Sequence, residues 1–267
     1  MNTLVITILL IFLATFSLLT VNFVNRRELR RKLIAQKITL LRRRIAELEE
    51  MAACIEPLLE STQIPRAIND EIIHLLETII QLDNRNTYME TTLDSAKALS
   101  EDLSLEKRSC QLMRNLSSDS QVARCKFQLN EAAKLIHKNQ QTGRIEALEG
   151  DAFILELSWG LMMIEVVTYV NQGHVSLKQN DHLKAYGYYK HAQQVLIASS
   201  HPDERRQRLI KEVSDMLGNR RRALSLDLMP ESANNPTAET SAPTDSEPAV
   251  EPTPPTEPEP TDTPPPP

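Results

Sequence analysis

Between Arg26 and Met229 the chain has only three prolines and six glycines in 204 residues. β-Architectures need turn residues at short intervals, and phosphate-binding loops need glycines close together. Neither requirement is met, so this stretch is expected to be all-α. A large sheet domain and a nucleotide enzyme built on glycine-rich loops are both disfavoured. Thirteen of the sixteen prolines lie from Pro230 to Pro267, and three of the five phenylalanines lie within the first 25 residues. The chain is therefore three compositions joined end to end.

Charge follows the same division. The net charge of −6 splits into +8 for residues 26–44, −6 for 45–229 and −8 for the remainder. No single sign covers the middle, so a nucleic-acid face is not expected.

Thr3 to Val24 is a run of 22 uncharged residues, long enough to span hydrocarbon as a helix. Arg26, Arg27, Arg30, Arg31 and Lys32 follow at once. The positive-inside bias then holds the carboxyl side in the cytoplasm and sends the short amino end across. A cleaved signal peptide wants its charges before the apolar run and a small-residue site after it, and this segment has neither. Residues 1–25 are thus expected to be a retained single-pass anchor in the inner (plasma) membrane. The basic run has two readings: it fixes topology alone, or it binds anionic headgroups as well. Cys54, Cys110 and Cys125 are odd in number and widely spaced, as reduced thiols of a cytoplasmic domain would be.

Nothing from Val24 to Pro57 breaks a helix. Ile34, Ile38, Leu41, Ile45, Leu48, Ala52, Ile55 and Leu59 recur at alternating spacings of four and three. That is a coiled-coil seam on a juxtamembrane helix over 26–60. It predicts either parallel self-association into a homodimer or packing of the helix on its own chain.

Residues 61–142 carry further helical patterns. One runs from Pro65 to about Asp83 with two adjoining apolar stripes, which marks a bundle helix. Weaker patterns cover Leu93–Leu105, a short piece near Leu112–Leu116, and Val122–Ile136 closed by Gly143. Residues 152–170 (AFILELSWGLMMIEVVTYV) rival the anchor in hydropathy, but Glu156 and Glu165 interrupt them. A carboxylate near the centre of a span costs about 2.5–3.5 kcal/mol, so this segment is expected to be a central bundle helix.

Six of the eight aromatics outside the anchor fall between Phe153 and Tyr189. Within this region, TYVNQGHVSLKQNDHLKAYGYYKHAQQVL resembles one tetratricopeptide repeat, a pair of short helices with an early aromatic and small residues where the helices touch. Tyr169 and Gly173 match the first helix, Asn180-Asp181 the turn, and Ala185, Tyr189 and Ala192 the second helix. Gln172 stands where the family has Leu, the expected proline is delayed to Pro202, and no second copy follows at 34-residue spacing. A single hairpin within a module over 143–225 is therefore expected, packed on helices at 144–168 and 203–217. In the family the first helix lines a peptide groove. By resemblance Asn171, His174 and Lys178 would project near such a groove, the alternative being solvated surface.

The remainder, 229–267, holds one Val and no larger hydrophobe beyond Met229 and is expected to be disordered. No phosphate-binding loop, H-E-x-x-H, C-x-x-C or G-x-S-x-G is present. No enzyme activity, cofactor or metal is expected, and an enzyme would require titratable groups gathered in a pocket between helices. The layout resembles membrane-anchored envelope or cell-division scaffolds that work through protein partners. A second layout it resembles is the mitochondrial import receptor, with an anchor, a basic flank and one repeat-like hairpin for targeting or translocation.

Overall fold

A computed structural model describes residues 2–83, 87–105, 112–230 and 235–236, and side chains from Phe12 onward except those of residues 14 and 15. Among the described residues the chain is all-helical. The tail from 237, Cys110 and the turn at 84–86 lie outside them.

Seven α-helices follow in order: α1 (Asn2–Ile55), α2 (Gln63–Leu82), α3 (Thr87–Ser104), α4 (Asp119–Gln141), α5 (Ala147–Lys178), α6 (His182–Ala198) and α7 (Arg205–Leu217). α1 is 54 residues long and stops at Glu56–Leu58, a 3-10 turn containing Pro57. Proline disfavours helix in the residue before it and has no N–H to continue the ladder. Ser118 caps α4, accepting from the Gln121 amide, and Gly143 beyond its end takes φ +70°. Asn180 at φ 60° and the Asp181 cap turn the chain from α5 into α6.

Two apolar clusters form the core. The first joins α1, α2, α3, α4 and the start of α5; the second joins the rest of α5 with α6, α7 and Leu224, Leu228 and Met229. α5 belongs to both, which is why it is apolar on every side: Phe153, Leu157 and Ile164 face one cluster, and Trp159, Met163 and Val167 the other. Among the described residues α5 is the helix long and apolar enough to cross a membrane, yet 61% of its apolar window is buried by the chain itself. The two acids of its apolar stretch 152–170 are partnered. Glu165 pairs with Lys126 at 2.6 Å, and Glu156 accepts from the Ser61 amide at 3.0 Å.

The helix expected at 144–168 and the first helix of the hairpin are one continuous element, α5. The piece near Leu112–Leu116 is not helical. Its backbone is engaged by other segments, with the Met113 amide on the Pro57 carbonyl at 2.8 Å and the Leu116 amide on Thr168 at 3.3 Å, so local periodicity is overridden.

Along α1 the seam residue Ile34 stays 37% exposed. From Ile38 onward the seam meets the chain's own α2 and α4, with Ile38, Ile45, Leu48 and Ile55 buried and Leu41 and Ala52 half-buried. Upstream, Phe12, Leu13, Phe16, Leu18, Leu19, Val21 and Phe23 are all at least 63% exposed.

Cys54 on α1 and Cys125 on α4, 71 residues apart in sequence, bring their sulfurs to 3.3 Å as free thiols. Burial pushes the Cys54 thiol up to about 12, and Cys125 beside it adds to the rise. The thiolate is the nucleophile, so alkylation of Cys54 by iodoacetamide at pH 8 should be at least tenfold slower than that of a small exposed thiol. Its rate should keep climbing with pH past 9, where an ordinary thiol has levelled off. Mass-spectrometric time courses at several pH values read this directly; a plateau near pH 9 would contradict the buried-thiol geometry.

Candidate functional site

α6 folds back on α5 through an unusually close contact. A Cβ built on Gly173 would lie 2.3 Å from the Tyr189 ring, so only glycine permits this approach. The Tyr189 hydroxyl and His174 Nδ1 share a hydrogen bond of 2.9 Å. Ala185, Tyr189 and Ala192 are buried along one face of α6, and Tyr169 packs edge-on against His191 at 4.2 Å between ring centroids. The five residues singled out for hairpin packing thus all lie at or beside the α5–α6 contact.

A groove of about 630 Å³ opens at the end of this hairpin, between α5, α6 and the loop after α7. His174 and Lys178 line it, together with Tyr186, Arg221, Arg222 and Pro236. Lys178 and Tyr186 are exposed, whereas His174 is only 2% exposed at the groove floor. Burial pushes its imidazole down to about 4, with the Lys178 charge acting in the same direction and the Asn235 amide opposing. Asn171, one turn earlier, does not reach the groove and is buried, its Oδ1 without a hydrogen-bond partner. Of the three residues expected near a groove, two therefore line one. Among the described residues no carboxylate lines it, and the lining described is basic and aromatic. Arg221 is held by Glu212 at 3.5 Å, while Arg222 has no acidic partner among the described residues.

A second cleft, of about 760 Å³, lies between the loop ahead of α2, the mid-part of α5 and the α6–α7 loop. Here Arg205 bonds both oxygens of Glu60 at 2.9 Å, pairs with Asp203 at 2.8 Å and lies 4.5 Å over the Trp159 ring. These bonds hold the Asp203 carboxyl below its ordinary range and the Arg205 guanidinium above its own. Arg114, 2% exposed, donates to the Leu228 carbonyl at 3.3 Å. Burial raises the Glu156 carboxyl. His201 has both ring nitrogens engaged by backbone: Nδ1 accepts from the Asp203 amide at 3.2 Å and Nε2 meets the Leu155 carbonyl at 3.1 Å. Titratable groups do gather in this cleft: Glu60 and Asp203 are bound to Arg205, Glu156 accepts from the Ser61 amide, and both ring nitrogens of His201 are engaged by backbone. The arrangement ties the loop at Glu60 to the α6–α7 loop. Its members come from four distant stretches, and no spacing in the sequence announces them.

Among the described residues no three His, Cys, Asp or Glu side chains gather as a bound metal would require. The architecture defines a class, an all-α bundle whose first helix extends well beyond the packed core. No family model, curated protein or solved structure matches the chain.

Proposed function

We propose that the chain is a single-pass membrane scaffold or adaptor that holds a helical docking module at the cytoplasmic face and acts through protein partners. The observation carrying this reading is the continuity of α1. One helix runs from the uncharged segment, where Phe12, Phe16, Leu19 and Phe23 are exposed, into the core at Ile38 and Leu48. Exposed apolar side chains in such number call for a covering phase, and the length of the run suits a bilayer. Residues 24–38 form a stalk of about 21 Å at 1.5 Å per residue, with the basic cluster at its membrane end. The hairpin, with its tetratricopeptide-like contact, supports the docking groove. Self-association through the stalk, where Ile34 remains exposed, is part of the same reading.

The receptor reading fits less well. Targeting presequences are Arg-rich and acid-poor, and a groove lined by Lys178, Arg221 and Arg222 would repel them.

Among the described side chains Ile38 is the first buried one of α1, so removing residues 1–25 is expected to leave the core intact. The full chain should sediment with membranes and resist carbonate extraction, and the shortened chain should move wholly to the soluble fraction. Carbonate release of the full chain, or sedimentation of the shortened one, would overturn the anchor reading.

A further inference from the structure

We propose that the basic, aromatic groove at the end of the α5–α6 hairpin is occupied in cis by the acidic, proline-rich segment 237–267 of the same chain. The first reason is the chain's path. Asn235 is buried, donating to the Leu224 carbonyl at 3.0 Å, and Pro236 forms part of the groove wall. The last described residue, Pro236, thus lies at the groove itself.

The second reason is charge. Segment 237–267 contains seven carboxylates and no Lys or Arg. The groove is lined by Lys178, Arg222 and the Glu212-paired Arg221, and among the described residues no carboxylate lines it. Glu239, the first acid, is three residues beyond Pro236, about 9 Å along an extended polyproline strand. Asp245 and Glu247 follow nine and eleven residues beyond Pro236.

The third reason is the kind of surface. Proline-rich strands bind aromatic-lined grooves because their rings stack on flat side chains and their backbone is already ordered. Tyr186, 52% exposed, supplies such a platform above the buried Tyr189. Covalent attachment gives the segment a millimolar effective concentration, so weak contacts suffice to fill the groove. An outside partner would then have to displace the segment. The inference rests on the groove and not on the membrane anchor, so either can fail without the other.

Zero-length carbodiimide coupling of the full-length protein in detergent, read by peptide mass spectrometry, tests this. The expected product joins Lys178 to Glu239, Asp245 or Glu247 within one chain, with a yield independent of protein concentration. Arg222→Glu, at an exposed position outside the core, should lower that yield at least fivefold while leaving the helical circular dichroism unchanged. Tyr186→Ala should lower it as well. Products that are only intermolecular, products spread equally over Lys134, Lys190 and Lys211, or a yield unaffected by both substitutions would overturn the proposal.

Discussion

Replacing Gly173 with leucine should destabilise the protein by about 3 kcal/mol or more, the upper end of what overpacking costs. The Cβ alone would sit 2.3 Å from Tyr189 Cε1 and 2.8 Å from its Cζ. The ring cannot swing aside cheaply, because it is 4% exposed and its hydroxyl is tied to His174. Gly160 provides the internal control. A Cβ there meets only Leu59 Cδ2, at 2.8 Å, the free end of a flexible side chain. Gly160→Ala should therefore cost less than about 1.5 kcal/mol. Thermal melts of both variants in the same detergent check the contrast. Equal effects, or a Gly173 variant as stable as the parent, would remove the close helix approach from the description.

The second large effect is in pH dependence. His174 has its folded pKa lowered to about 4 from an ordinary 6.5. The unfolded chain then binds more protons than the folded one between those values, so stability rises with pH across that window. The contribution is fully present above about pH 6.5 and is lost as pH falls toward 4. Its full size is about 3 kcal/mol, at 1.36 kcal/mol per pKa unit. For a chain of this size that corresponds to a fall of roughly 6–12 °C in melting temperature. His174→Gln keeps a side chain able to hydrogen-bond Tyr189 but cannot titrate, and should flatten the profile between pH 4 and 6.5. Parallel profiles for parent and variant would show that His174 is not the group buried in the neutral state. Acidification should also protonate the groove floor beneath Tyr186, which makes this window informative for docking measurements.

The helices were largely legible in the sequence because each carries its own signals. α2 was expected from Pro65 to about Asp83 and runs from Gln63 to Leu82; α4 ends where Gly143 marks it. The acids of 152–170 pointed to a bundle helix, and the structure seats both in polar contacts while apolar neighbours fill two clusters. The close contact of Gly173 with Tyr189 was suggested by a local pattern alone, since both residues lie on one short hairpin. The cleft around Arg205 had no such signal. Glu60, Arg114, Trp159 and Asp203 meet only after the chain has folded back on itself several times, and each looks like an ordinary helix or loop residue in its own stretch.

The sequence by itself determined the all-helical character, the break at Pro57, the hairpin turn at Asn180-Asp181 and the uncharged run at the amino end. These depend on backbone propensities and on spacing within a few turns, which short-range physics governs. Only the tertiary structure decided which partner each apolar face takes. The seam of α1 could serve a second chain or its own, and from Ile38 to Ile55 it is filled by α2 and α4. Likewise the stretch at 112–116 gave up its helical pattern to bonds with Pro57 and Thr168. Burial of an apolar stripe is favourable against any matching surface, so the stripe alone does not name its partner; the competition among all the helices does.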